Sequence, residues 1–312
     1  MSIPYFDAHC DTITRGVALG KNDCHLDLDR LGHYAPAAQV FAIFIPPDKD
    51  AKKGRKYAAA PKAYDTCLAN LLREFQVNSD KISHCRSTED AKKAASEGKI
   101  AAFISIEGAD MLRCSLDRLR VAHFLGVRIV HLTWNDDNNL SGAAMGDEKY
   151  GLTLLGKKFV KTAQKLGMLL DMSHISDAAF SDIMAISKKP VVAGHSNSRA
   201  VCPHPRNITD EQFTALVKTG GGAGINLCRD FLGLGMDIDA VLTHMEHFLG
   251  LGGEKAVFLG SDFDGIPQPP DGIDGVQDMD KVYEAMLRRG WSEDLVRDIF
   301  YNNFMSILER AL

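Results

Sequence analysis

The sequence predicts an α/β protein built as a (β/α)8 TIM-type barrel with extra C-terminal helices, and three observations support this prediction. The chain has 312 residues, enough for one barrel of about 250 residues and additional segments. Short runs rich in Val, Ile, Leu and Phe alternate with longer stretches of helical periodicity. Most of the short runs are apolar throughout, which is typical of parallel strands covered on both faces.

The apolar runs are predicted to be strands. In chain order they are Ile3–His9, Gln39–Ile45, Ala101–Ile106, Arg128–Thr133, Gly167–Asp171, Pro190–His195, Gly221–Asn226 and Ala256–Ser261. Alternation of strands with helices implies parallel pairing through right-handed crossovers, and eight such units favour a barrel over a doubly wound open sheet. Because no stretch rich in Pro, Gly or Ser divides the chain, residues 1–312 are predicted to form a single domain.

Several helices have recognisable starts. Thr209–Gln212 is a capping box, and Ser176 and Ser292 can each cap the helix that follows. The segment Ser292–Leu312 carries many apolar residues. These residues are predicted to cover the core of the barrel, and the alternative is that they form the surface of a homodimer.

The composition excludes some classes of function. The chain is 45% hydrophobic and 25% charged with a net charge of −5, which is ordinary for a globular protein and argues against a nucleic-acid binder. The basic run Lys52–Lys56 is interpreted as a solvated loop. The seven cysteines include no CxxC pair, and no signal peptide or apolar run of about 18 residues occurs. We therefore expect a cytoplasmic protein with no membrane contact.

Polar residues follow the predicted strands at the point where each apolar run stops. In a (β/α)8 barrel the active site lies at the C-terminal ends of the strands, so these residues are expected to meet at one mouth. They are His9 and Asp11 at the end of the first run, Glu107 after the third, His174 after the fifth, His195 at the end of the sixth, and Asp262 and Asp264 after the eighth.

This set of nitrogen and oxygen donors suits Zn²⁺ or a similar divalent ion such as Mn²⁺, Co²⁺ or Fe²⁺. It exceeds the three or four protein ligands of one catalytic zinc, which indicates a two-metal site. Two ions can deprotonate a bridging water and polarise a carbonyl group, and a carboxylate that holds no metal can carry the proton. The sequence therefore predicts hydrolysis of an amide or ester without a Ser or Cys nucleophile.

At these positions the chain resembles the membrane (renal) dipeptidase family, the M19 peptidases of the amidohydrolase-like barrels. The motifs that carry the resemblance are Asp7–Thr12, Ser105–Ala109, Leu170–His174, Gly194–Ser198 with Pro205–Asn207, and Gly260–Gly265. The resemblance is to a bacterial type without a membrane anchor. It implies a dipeptidase that often accepts a D-residue at the C-terminal position of its substrate.

The resemblance also implies roles for individual residues. His9 and Asp11 would hold one zinc ion, His174 and His195 the second, and Glu107 would bridge both. Asp262 would carry the proton, with Asp264 as the alternative. Arg206 would bind the carboxylate of the substrate, for which a guanidinium fork is well suited.

The chain departs from the better-known members after the fourth strand. Trp134 stands where those members have a histidine that helps to stabilise the oxyanion, so Trp134 and Asn135 are predicted to shape a different substrate pocket. Two alternatives to a dipeptidase stay open. One is another metal-dependent hydrolase on the same barrel, namely a lactonase, deaminase or acylamino-acid hydrolase. The other is a metal-binding protein without catalysis.

Overall fold

The computed structural model describes residues 2–52, 55–233 and 235–312. Within them the chain forms a closed barrel of parallel strands surrounded by helices. The strands are β1 (Tyr5–Cys10), β2 (Ala37–Ile43), β3 (Ile82–His84), β4 (Ile100–Ile106), β5 (Val127–His131), β6 (Leu169–Asp171), β7 (Val191–Ala193), β8 (Gly222–Ile225) and β9 (Val257–Leu259).

The barrel closes through two parallel pairings. β1 lies between β2 and β9, and β2 pairs directly with β4 over a long register that runs from Ala38–Ala101 to Ile43–Ile106. All eight predicted strands are present with shifted ends, so the barrel is confirmed and the open sheet is wrong. The short strand β3 was not predicted, because its three residues include polar Ser83 and His84 and give no apolar run. It adds to β4 outside the ring of eight.

The helices lie between and after the strands. They are α1 (Leu28–Leu31), α2 (Ala60–Val77), α3 (Thr88–Ser96), α4 (Leu116–Phe124), α5 (Leu154–Leu166), α6 (Asp177–Ile186), α7 (Asp210–Lys218), α8 (Arg229–Leu232), α9 (Ile238–Gly250), α10 (Met279–Arg288), α11 (Glu293–Arg297) and α12 (Asn303–Ala311). A π-helical turn, Asp298–Asn302, joins α11 to α12. The predicted caps are confirmed, since Ser176, Thr209 and Ser292 each accept a backbone N–H of the first turn.

The interior of the barrel is filled by apolar side chains from strands on all sides. One buried cluster joins Phe6 of β1, Phe103 of β4 and Phe258 of β9 with residues of α12. The Phe304 ring lies 4.8 Å from that of Phe6 and 4.7 Å from that of Phe258, measured between centroids. Because Phe6 and Phe258 lie near the starts of their strands, α12 closes the N-terminal end of the barrel. The prediction that the C-terminal segment covers the core is confirmed.

Two features of the chain can be compared with this fold, and a third lies partly outside the described residues. Among the residues described, no helix is long and apolar enough to cross a membrane. All seven cysteines are free thiols. The basic run Lys52–Lys56 includes residues 53 and 54, which lie outside the described residues.

Candidate metal centre

Buried polar side chains meet at the C-terminal end of the barrel. His9 lies on β1 and Asp11 follows it, Glu107 follows β4 directly, and His174, His195 and Asp262 follow the ends of β6, β7 and β9. Isolated burial of such groups is costly, so each one needs a partner or a bound ion. The exposed fractions are His9 0%, Asp11 3%, Glu107 4%, His174 6% and His195 0%.

Glu107 lies at the centre of this group and faces two sets of donors. Its Oε1 is 2.8 Å from Nε2 of His174 and 3.5 Å from Nε2 of His195. Its Oε2 is 3.7 Å from Nε2 of His9, which in turn lies 3.4 Å from a carboxylate oxygen of Asp11. The two carboxylate oxygens of Glu107 therefore face different side chains: Oε1 faces His174 and His195, and Oε2 faces His9 with its neighbour Asp11.

The donor set fits divalent metal ions. Three groups have ligand atoms that all lie within 4.8 Å of one another: Glu107 with His174 and His195, His9 with Asp11 and Asp262, and His9 with His131 and His195. Nε2 of His9 and Oδ1 of Asp11 are buried without a hydrogen-bond partner among the described residues. Nitrogen and oxygen donors with atoms left unpaired in this way are suited to a divalent ion.

In one half of the site, formed by Glu107, His174 and His195, the side chains already have the protonation states that bind a metal ion. Burial works against a charge on Glu107, but His9, His174 and His195 outweigh it and hold the carboxyl pKa well below its usual value. Burial lowers the pKa of His174 to about 3 and that of His195 well below its usual value. A carboxylate and neutral imidazoles are the forms that bind metal ions.

The other half binds protons more strongly than free side chains do, because the pKa values of both Asp11 and His9 are raised. Burial and the charge of Glu107 raise the pKa of Asp11 to about 6. At His9 burial favours the neutral ring, but Glu107 and Asp11 outweigh it and raise the pKa well above its usual value. An ion that binds between His9 and Asp11 must therefore displace protons.

Asp262 faces this half of the site from the end of β9. Its Oδ1 lies 3.9 Å from Nε2 of His9, and its Oδ2 accepts a 2.9 Å hydrogen bond from Nδ2 of Asn226. Its backbone is in the left-handed region with φ of 62°, an uncommon conformation outside glycine that is found at functional sites. Burial raises the pKa of Asp262 to about 7.

Asp264 has a different environment, although it is only two residues away. Its Oδ2 accepts a 2.5 Å hydrogen bond from the Thr12 hydroxyl, and its Oδ1 accepts a 2.7 Å bond from the backbone N–H of His25. Both oxygens of Asp264 therefore hold the rim of the barrel together. Of the two aspartates left open by the sequence, the geometry favours Asp262 as the group that faces the site.

Arg206 is buried beside the site, with 3% of the residue exposed. Its Nη1 is 3.4 Å from Oγ of Ser196 and its Nη2 is 3.5 Å from the carbonyl oxygen of His195, both long for hydrogen bonds. The Nε atom has no partner among the described residues, and the guanidinium carbon lies 5.4 Å from the Phe231 ring centroid. The guanidinium group of Arg206 therefore still has N–H donors that can bind an anion.

Trp134 and Asn135 lie on the loop after β5. The Trp134 ring centroid is 4.8 Å from that of Phe44 and 6.2 Å from that of His174. Oδ1 of Asn135 lies 2.8 Å from Nδ1 of His174. Both residues thus border the site, and Asn135 directly contacts a candidate metal ligand.

Sequence reasoning did not single out His131, although it ends β5 as the other site residues end theirs. It is 0% exposed, and its ring centroid lies 5.6 Å from that of His9 and 5.4 Å from that of His195. The signal was a histidine at the end of an apolar strand, the same signal that identified His9. It was missed because the strand was expected to continue to Thr133.

Comparison with known proteins identifies the family of this chain. A family model of the membrane dipeptidases, peptidase family M19, matches residues 1–311. The chain belongs to this family. The resemblance seen in the motifs is thereby confirmed, and family membership together with the buried His and Glu groups supports a metallo-dipeptidase with a divalent metal site.

Solved structures give the same result. A metallo peptidase from Rhodobacter sphaeroides, liganded with a phosphinate mimic of the dipeptide L-Ala-D-Ala, is 28% identical with a TM-score of 0.90 over 100% of both chains. Dipeptidase AC, of peptidase family M19, is 29% identical with a TM-score of 0.90, covering 100% of this chain and 99% of its own. The probable dipeptidase PvdM from Pseudomonas aeruginosa is 19% identical with a TM-score of 0.90, covering 99% of this chain and 95% of its own, and shows the shared fold.

Proposed function

We propose that the protein is a zinc-dependent dipeptidase with two metal ions and that its substrates include L-Xaa-D-Xaa dipeptides. The observation that carries the proposal is the position of Glu107, whose two carboxylate oxygens face separate groups of donors. The Rhodobacter sphaeroides relative, which binds a mimic of L-Ala-D-Ala, supports the substrate class.

In this proposal His9 and Asp11 hold one ion, His174 and His195 hold the other, and Glu107 contacts both. Zn²⁺ suits this mixture of imidazole and carboxylate ligands. When bound, such ions supply an activated water and polarise the carbonyl group of the substrate. The protein supplies the fixed geometry, because every ligand follows or ends a buried strand.

Asp262 is proposed to hold and move the proton. A general acid or base works best when its pKa lies near the working pH, and burial brings the pKa of Asp262 to about 7. The hydrogen bond from Asn226 occupies Oδ2 and leaves Oδ1 directed towards the His9 side of the site. Asp262 can therefore take a proton at Oδ1 and return it to the leaving amine of the dipeptide.

Arg206 is proposed to bind the C-terminal carboxylate of the substrate. Its buried guanidinium has only long contacts to Ser196 and His195, so a carboxylate can supply the bonds that these groups do not. Trp134 is proposed to form an apolar wall of the pocket with Phe44. Asn135, which contacts Nδ1 of His174, is placed to fix the orientation of that ring.

The proposal is tested by metal analysis and kinetics on one purified sample. The panel contains L–L and L–D dipeptides, an N-acylated amino acid and a lactone. We expect two Zn²⁺ per chain and hydrolysis of dipeptides, with L–D pairs among the substrates. Glu107→Gln keeps the size of the side chain but removes a charge that serves both ions, so we expect loss of metal and of hydrolysis.

Two results would overturn the proposal. One is full dipeptidase activity in Glu107→Gln, and the other is activity on the lactone or the acylated amino acid alone. Surface variant Glu309→Gln is the matched control, because Glu309 makes an exposed ion pair with Lys92 far from the metal centre. We expect it to keep the metal content and the activity of the wild type.

A further inference from the structure

A second buried polar pair lies next to the candidate metal ligands and has no part in the proposed mechanism. His131 at the end of β5 stands opposite Asp171 at the end of β6 in the parallel register. The two residues are 0% and 1% exposed, and Nε2 of His131 lies 3.3 Å from Oδ2 of Asp171. An imidazole and a carboxylate are thus buried together inside the barrel.

Asp171 is tied to the segments that carry two of the proposed ligands. Its Oδ1 accepts hydrogen bonds of 2.9 Å from the backbone N–H groups of Ser173 and Gly194, the residues just before His174 and His195. A Cβ added at Gly194 would lie 1.9 Å from Oδ2 of Asp171, so this backbone can approach only as glycine. With Oδ1 occupied, Oδ2 is the oxygen left for His131.

The nitrogens around His131 lack partners. Both ring nitrogens of His131 and the Nδ1 atoms of His9 and His195 are buried without a hydrogen bond among the described residues. One ring nitrogen of each of these three histidines lies within 4.8 Å of the other two. A histidine that ligates a metal through one nitrogen almost always donates a hydrogen bond from the other.

We propose that His131, oriented by Asp171, is a positioning residue of the metal centre that fixes the rings of His9 and His195 through their second nitrogens. This inference rests on the proposed function, since it assigns to His131 a role towards metal ligands. Separations of up to 4.8 Å suit a link through one buried water, which hydrogen bonds to groups about 2.8 Å away on different sides.

The hydrogen atoms balance in this arrangement. The 3.3 Å contact between Nε2 of His131 and Oδ2 of Asp171 is not aligned as a hydrogen bond, so the proposal requires a small turn of the ring that lets Nε2–H donate to Oδ2. Nδ1 of His131 is then an acceptor. Nε2 of His9 and Nε2 of His195 face Glu107. If these nitrogens ligate metal ions as proposed, they carry no hydrogen, and the ring hydrogens are then on Nδ1. One water can accept both of these N–H groups and donate to Nδ1 of His131, and every nitrogen then has a partner.

The test compares His131→Leu and His131→Gln with the wild type. The measurements are the affinity for Co²⁺, by competition with a chelator, and the visible absorption of the bound Co²⁺. We expect His131→Leu to lose about 10- to 100-fold in Co²⁺ affinity, the usual cost of removing a partner of a metal ligand, and to show a changed absorption band. His131→Gln keeps an acceptor and should lose less.

A role in stability alone predicts the opposite pattern, in which the metal-free variants melt earlier and Co²⁺ binding is unchanged. That result in folded His131→Leu would overturn the proposal, and so would an affinity loss in His131→Gln as large as that in His131→Leu. His84→Gln is the control, because it removes a partly buried histidine from β3, away from the metal centre, and should leave Co²⁺ binding unaltered.

A measurement on the metal-free wild type separates this proposal from the metal centre itself. Nitrogen-15 NMR of labelled histidine should show the hydrogen of His131 on Nε2. A hydrogen on Nδ1 instead would overturn the pairing with Asp171. If the wild type takes up no Co²⁺, the proposed function fails, whereas wild-type uptake with equal uptake by His131→Leu rejects only the role of His131.

Discussion

The two ends of the barrel are built from the same strands but filled by opposite kinds of side chain. At the N-terminal end Phe6 and Phe258 pack against Phe304 of α12, and the contacts are apolar. At the C-terminal end the same strands β1 and β9 lead to His9 and Asp262, which are buried with other polar groups. The comparison shows that one end stabilises the fold, whereas the other keeps costly polar groups for chemistry.

The largest expected effect lies at the polar end. Asp262→Asn should lower kcat/KM on a dipeptide by about 10²- to 10⁴-fold, because an amide cannot take up the proton. Metal content and the unfolding free energy should stay near those of the wild type. Steady-state kinetics and metal analysis of the same sample provide the measurement.

Asp264→Asn is the matched control for Asp262→Asn. The amide retains an acceptor for the rim contacts with Thr12 or His25, so activity should stay within about tenfold of the wild type. If the two variants lost activity equally, the assignment of the proton to Asp262 alone would be wrong.

The next effect belongs to the apolar end. Phe304→Ala leaves a cavity between α12 and the strand starts, and we expect it to lower the unfolding free energy by about 3–5 kcal/mol. The folded fraction should keep the kcat/KM of the wild type, because the metal centre lies at the other end. Urea unfolding and kinetics well below the transition check both points.

Leu154→Ala is the control for this loss, since Leu154 is 83% exposed and its truncation should change stability by only about 0.5 kcal/mol or less. A loss of metal affinity in Phe304→Ala would break the separation of the two ends.

A third prediction concerns pH at the polar end. The pKa of Asp11 is raised to about 6 in the metal-free protein, so this group gains a proton as the pH falls through 6. A metal ion must then displace it, and affinity should fall by about tenfold per pH unit for each proton released. Isothermal titration with Zn²⁺ from about pH 5 to about pH 7 measures the slope.

Asp11→Asn provides the comparison for the pH series. It lacks the titrating carboxyl, so its affinity should be weaker and less dependent on pH over the same range. Equal slopes in the two proteins would show that another group is responsible, for which His9 with its raised pKa is the candidate.

The sequence predicts most of the difference between the polar and the apolar end of the barrel, because the residues that indicate each feature lie close together in the chain. A histidine or carboxylate that ends an apolar run marks the mouth, and eight such runs predict the barrel. Thr209 and Ser176 likewise reveal helix starts through residues only three positions away.

Other features depend on contacts between distant parts of the chain. Asp262 and Asp264 look alike in sequence, and only their contacts with Asn226 and Thr12 distinguish them. The pairing of His131 with Asp171 depends on the register of β5 against β6. Whether α12 covers the core of the barrel or forms a surface for a partner depends on where the helix face with Phe304 lies in the closed barrel.

The smallest effect concerns the helical tail that carries α12. Ser292 accepts a 3.3 Å hydrogen bond from the backbone N–H of Leu295 at the start of α11. Ser292→Ala removes this cap and should lower the unfolding free energy by about 1 kcal/mol, whereas Ser292→Asp keeps the cap and should retain wild-type stability. Zn²⁺ affinity should be the same in both variants, because α11 contacts the site only through the rest of the fold. A measurable change in metal affinity from so small a loss would mean that the tail and the metal centre are coupled, and the two ends of the barrel would then not be independent.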